Sequence, residues 1–180
     1  MQSQIERNVF SRKGDKLKNR AAYFGVFTAL ALILSYVETL IPIQFGIPGI
    51  KLGLANLIIV IVLYKRNAKE ALLLSVVRVI LSGFLFGNLF SIVYSLAGGV
   101  LSLLVMAGLK KRKWFSVVGI SLAGGVSHNI GQLLVAMAVV ETFEVAYYIP
   151  VLLVAGSVTG ILIGAVSAAI LKRTEGLRLE

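Results

Sequence analysis

An all-α integral membrane fold, a six-transmembrane-helix bundle with both termini cytoplasmic, is what three features of the sequence predict. Of the 180 residues 58% are hydrophobic, only 14% are charged, and the charged residues collect in short segments between long apolar runs. Soluble domains carry about 25% charged residues spread over their surface, so a chain with a mean hydropathy of +0.92 has too little polar surface to dissolve. Hydrocarbon offers no water to backbone N–H and C=O groups, which restricts spanning segments to helices and closed barrels. The apolar runs are continuous and do not alternate, which selects the helix.

Residues 1–20 carry Arg7, Arg12, Lys13, Lys16, Lys18 and Arg20 and read as a basic surface tail. The run at 21–41 is long enough to span, so it is expected to be a retained helix and not a cleaved signal peptide. The second and third runs, 50–64 and 71–86, are short against the ~20 residues a straight span needs and must tilt little, thin the bilayer or borrow flanking residues. Longer runs follow at 89–109, 114–140 and 147–171, and 173–180 forms a second short tail.

Lysine and arginine set the orientation. Six lie in the first tail, three at Lys65, Arg66 and Lys69, four at Lys110 to Lys113 and three at Lys172, Arg173 and Arg178, leaving only Lys51 and Arg78 of the eighteen. The alternate connections, near 42–49, 87–88 and 141–148, hold none, and the last contains Glu141 and Glu144. Both tails are therefore expected in the cytoplasm of a multi-pass cell-membrane protein. The net charge of +10 is accounted for by topology, which argues against a nucleic-acid partner.

Ionisable and amide side chains inside a membrane are costly and mark candidate sites. At ~1.5 Å per residue, Arg78 lies roughly 14 Å beyond Lys69, near the midplane, and His128 roughly 21 Å beyond Trp114, in the outer half. Glu38 lies near the outer end of the first span, Lys51 at the opening of the second and Asn88 at the outer turn, while Asn129 and Gln132 accompany His128. His128 and Gln132 share a helix face by their four-residue spacing, and Asn129 and Gln132 are the neighbouring three-residue pair. Together these seven residues suggest a substrate-binding cavity open to the outside, suited to an anionic or carbonyl-bearing ligand. The competing structural reading pairs Glu38 with Lys51 and has His128 bonding across helices.

The hexamer SLAGGV occurs at 95–100 and at 121–126, on spans of opposite direction. Small residues let helix backbones approach, so packing is its first reading, with a hinge or backbone-lined ligand site as the alternative. Ala21, Gly25 and Ala29 form a second small-residue stripe, four apart, on the cytoplasmic half of the first span. It suits docking of another helix, from this chain or from a partner.

Other chemistries lack their residues. With no cysteine and a single histidine the sequence offers no recognisable metal set, and no cofactor is expected. Prenyl synthases are expected to hold magnesium on paired aspartates, and the only aspartate is Asp15, in the tail. There is no GxxxxGK[ST] loop for ATP.

The segments PGIKLGLAN at 48–56, LSYVETLIP at 34–42 and SHNIGQL at 127–133 resemble the heptaprenyl diphosphate synthase component I family, also called the Gx transporter family, over about residues 20–172. That family is similar to the substrate-binding S components of energy-coupling-factor (ECF) transporters. The resemblance implies a six-helix, substrate-capturing subunit served by a separate transmembrane T component and two cytoplasmic ATPases. It also implies that Ala21, Gly25 and Ala29 match the small-residue stripe by which S components dock the T component, with glycine in place of one alanine.

Three functional expectations follow. The first is a non-enzymatic binding and translocation subunit for a small micronutrient or an isoprenoid- or quinone-related compound. The second is a non-catalytic accessory subunit of a polyprenyl diphosphate synthase or a redox complex. The third is a solitary transporter driven by ion gradients, with Glu38 and His128 as its protonatable groups.

Overall fold

The computed structural model describes residues 2–41, 52–112 and 114–175. Among them six α-helices and one 3₁₀ helix run in the order α1 (Gln2–Leu40), α2 (Leu54–Lys65), α3 (Ala68–Phe86), α4 (Leu89–Lys111), α5 (Val117–Val140), the 3₁₀ helix (Phe143–Tyr148) and α6 (Ile149–Arg173). Four stretches, 18–40, 89–111, 117–140 and 143–173, are long and apolar enough to cross a membrane. The other two helices depart from that standard for different reasons. α3 has 19 residues but carries Lys69, Glu70 and Arg78, and α2, at 12 residues, extends only roughly 18 Å.

The helices do not begin and end where the apolar runs do. The basic segment 2–20 is helical and continuous with the first span. The second helix starts at Leu54 because Gly53 sits at φ 74°, a left-handed conformation that only glycine adopts without strain and that stops helix propagation upstream. α5 begins at Val117, where the Ser116 side chain accepts from Gly119 N–H and caps the first turn. The expected connection at 42–49 lies outside the described residues, as do Lys51, Lys113 and Arg178.

α2 forms the centre. Residues 58–63, Ile-Ile-Val-Ile-Val-Leu, are each at most 7% exposed, which accounts for a segment that is hydrophobic on every side. It is walled by α1, α3 and α6. The perimeter is the reverse: Phe84, Leu89, Leu104, Val154 and Leu162 point outward, exposed, as expected where lipid replaces water.

In lipid the drive to bury apolar surface between helices is lost, and close packing takes its place. Glycines provide it here. In the first SLAGGV copy Gly98 faces His128 and Gln132 on α5, while Gly99 faces Ser75 on α3. In the second, Gly124 faces Met106 on α4, and Gly125 meets Gly156 on α6 backbone to backbone. Each copy thus presents one glycine to each of two neighbouring helices, which is the packing reading of the repeat. Gly160 and Gly164 extend the α5–α6 seam against Leu122 and Val118.

The basic residues meet at one end of this bundle. Glu70 pairs with Arg20 of α1 and with Arg66, each at 2.9 Å, and the Arg66 guanidinium lies 5.3 Å from the Tyr23 ring centroid. Its hydrogen bond to Arg66, reinforced by the charge there and by bonds from Arg20 and Asn67, holds the Glu70 carboxyl below the usual carboxylate range. Lys110 donates to the Leu63 carbonyl at 2.5 Å, and Lys65 donates to the Thr174 carbonyl. These side chains supply donors to C-terminal helix carbonyls that have no intrahelical partner.

Candidate functional site

At the end of the bundle opposite the basic cluster, five helices enclose a cavity of about 130 Å³. It forms where the ends of α1 and α3, the starts of α2 and α4 and the second half of α5 converge. Each helix contributes polar groups at helical spacing: Ser35, Glu38 and Thr39 from α1, Asn56 from α2, Arg78 and Ser82 from α3, Ser91 and Ser95 from α4, and His128 and Gln132 from α5. Spacings of three and four put such residues on one face, so α1, α3, α4 and α5 each turn a short polar stripe inward and α2 adds Asn56.

Glu38 has a structural part in this arrangement. Its Oε1 accepts the Gly53 N–H at 2.5 Å, tying the end of α1 to the start of α2. The left-handed Gly53 turn aims that N–H at the carboxylate, and one turn later Asn56 reaches the cavity.

Arg78 is the permanent cation of the site, since a guanidinium stays protonated in proteins. Its Nη1 donates to Ser35 Oγ across a long 3.3 Å, and its buried Nε has no hydrogen-bond partner among the described residues. Buried donors are nearly always satisfied, so the guanidinium keeps unused hydrogen-bonding capacity beside the cavity.

Gln132 is 3% exposed and shares its wall with His128. Gly98 of α4 makes room for both: a Cβ there would lie 2.8 Å from Gln132 Cγ and 3.1 Å from His128 Cε1. The described residues of the cavity can therefore offer a fixed positive charge, a carboxylate, an imidazole, two carboxamides and several hydroxyls to a bound molecule.

Of the seven residues expected to bind substrate, Glu38, Arg78, His128 and Gln132 line this cavity. Asn129 and Asn88 do not join them. Asn129 turns to α6, where its Nδ2 donates to the Leu152 carbonyl at 2.8 Å. Asn88 caps α4: its side chain accepts from Ser91 N–H at 2.8 Å while Ser91 Oγ accepts the Asn88 N–H at 3.0 Å. Lys51 lies outside the described residues.

The lining also includes residues that charge and depth did not single out, namely Ser35, Asn56, Ser82, Ser91 and Ser95. The signal for most of them was spacing. Ser35 lies three residues before Glu38, Ser82 four after Arg78, and Ser91 and Ser95 are four apart.

Ala21, Gly25 and Ala29 are all exposed on α1, and a side chain added at Gly25 would meet nothing within 4 Å. No other described element of this chain covers that stripe.

A family model described as heptaprenyl diphosphate synthase component I matches residues 27–170. No curated protein and no solved structure was matched by the chain.

Proposed function

The chain belongs to the heptaprenyl diphosphate synthase component I family, and from that premise we propose that it is the solute-binding subunit of a membrane uptake system. It captures a small polar compound in the cavity around Arg78 and is energised by separate ATPase-bearing partners. The observation that carries this reading is the cavity itself. Five ionisable or amide side chains that are costly in a lipid-facing protein converge on one space at one end of the bundle. By the positive-inside rule the basic end faces the cytoplasm, which opens the cavity to the exterior and puts both termini inside.

Partner docking falls to the exposed small-residue face of α1, where no described residue lies within 4 Å of a Cβ placed at Gly25. A Gly25→Leu, Ala29→Leu double variant should fold normally and lose a co-purifying transmembrane partner. If that partner is retained at the wild-type level, α1 is not the docking helix.

The test of the binding reading is mass spectrometry of small molecules retained by the purified protein, together with thermal stability in detergent across micronutrients, quinone precursors and prenyl compounds. A retained or stabilising compound lost on substitution of cavity residues supports it. A protein that neither retains nor responds to any of them overturns it.

The family description favours one other reading, a non-catalytic membrane partner of a prenyl-transferring enzyme. Co-purification separates the two: an ATPase-bearing complex supports uptake, whereas a soluble synthase bound at the basic end supports the accessory role.

A further inference from the structure

Resting on the solute-binding reading, we infer that the cavity takes a small carboxylate-bearing solute, on the order of ten non-hydrogen atoms or fewer, and takes neither a prenyl chain nor a diphosphate. Three observations carry this: the donor geometry of Arg78, the balance of charge on the walls, and the size and polarity of the space.

A guanidinium presents its N–H groups as a planar fork that matches the two oxygens of a carboxylate or two of a phosphate. Within the cavity the Arg78 fork is barely used. One Nη1 bond of 3.3 Å goes to Ser35, and the buried Nε is without a partner among the described residues. A carboxylate set against the guanidinium edge forms the strongest class of hydrogen bond available to the site, and a small turn of the side chain brings the unpartnered Nε into the pair. A neutral carbonyl would use one donor at a time and gain no charge pairing.

The charge on the walls favours carboxylate over phosphate. Arg78 and Glu38 both lie on the described walls, so an anion held by the guanidinium also lies near a carboxylate. A dianionic phosphate or a diphosphate would add two or more negative charges to a low-dielectric space that already holds a carboxylate, and like charges at close range are strongly disfavoured there. A carboxylate adds one negative charge, and a carboxylate within a zwitterion adds none.

Size and lining disfavour the long apolar ligand. An apolar cavity near 150 Å³ holds a molecule the size of benzene, and the space here is about 130 Å³. Its apolar contributions come from Ala55, Val79 and Phe86, set among hydroxyls and carboxamides. A chain of several isoprene units would strip water from those groups without replacing their hydrogen bonds. Asn56, Gln132 and the serine hydroxyls are instead suited to the polar remainder of a compact acid.

The test uses the full-length protein in detergent and reads concentration-dependent thermal stabilisation. Probes are benzoate, nicotinate and proline, each against its amide, together with inorganic phosphate and farnesyl diphosphate; compounds retained through purification are identified in parallel. The expected result is stabilisation or retention of a compact carboxylate, with the matching amide at least about tenfold weaker, the scale of one charged hydrogen bond. Arg78→Gln should lose the response, and Arg78→Lys should keep part of it. The acid-against-amide comparison on the wild-type protein stands even if both variants fail to fold. Equal response to acid and amide, or preference for phosphate or farnesyl diphosphate, overturns the carboxylate assignment and leaves the binding reading in place. No response and no retained compound overturns both.

Discussion

Adding one methyl group at Gly160 should cost the bundle much of its stability, and the structure supplies the magnitude. A Cβ at this position would sit 2.7 Å from the Leu122 Cα and 2.8 Å from the Ser121 carbonyl oxygen, about 1 Å inside ordinary carbon contact distance. Both obstacles are backbone of α5, which has no rotamer to escape into, so the two helices must separate. Overpacking of this kind costs about 1–3 kcal/mol. Alanine also favours the helix over glycine by up to ~1 kcal/mol, which partly masks the clash. Gly108→Ala supplies the control, because a Cβ there meets nothing within 4 Å, and the difference between the two variants isolates the steric cost. Gly160→Ala should therefore lie about 1–3 kcal/mol below Gly108→Ala, or roughly five- to over a hundredfold in the folding equilibrium. Unfolding in mixed micelles of mild detergent and dodecyl sulfate, followed by circular dichroism, measures both. Variants equal to within about 0.5 kcal/mol would refute the idea that glycine at this crossing sets the helix separation.

Two further outcomes follow from other parts of the molecule. Arg66, Arg20 and Asn67 hold Glu70 below its ordinary range, so its contribution to stability is fully present above the unfolded carboxyl value of about 4.3 and disappears as pH falls through the lower folded value. The gap in thermal stability between wild type and Glu70→Gln should accordingly be widest near neutral pH and close in acid, and a gap that ignores pH would contradict the ion-pair assignment. Asn88→Ala removes the reciprocal cap with Ser91 and should lower stability by about 0.5–2 kcal/mol. Asn88→Ser should restore most of it, with binding in the cavity unchanged in both variants.

What the sequence made legible follows its physics. Continuous apolar runs require helices in lipid, and the depth of an ionisable side chain can be counted from the nearest basic cluster, which brought Arg78 and His128 into consideration together. Rotation about the helix axis needs a second kind of information. Asn129 follows His128 by one residue and so points about 100° away from it, toward α6. No pattern on α5 alone could say that α6 and not the cavity lay in that direction. The serines were within reach of sequence, since Ser35, Ser82 and Ser95 stand at three- or four-residue spacing from another polar residue, but single serines are common in membrane helices and carry little signal. Helix starts were least legible. The onset of α2 depends on a left-handed glycine held by a carboxylate fifteen residues earlier, a tertiary contact that local composition does not encode.

The enclosure of α2 also bears on biogenesis. Six consecutive aliphatic side chains have no lipid-facing side in the finished protein, yet α6, which covers part of them and reaches them through the Lys65 to Thr174 bond, starts at Ile149, long after α2 ends at Lys65. At ~5–20 residues per second the ribosome needs roughly four to seventeen seconds to make that stretch. During the interval the shortest and most apolar of the α-helices has to be sheltered by α1, α3 and whatever the insertion machinery provides, which makes nascent chains halted before α6 the species most exposed to quality-control proteolysis.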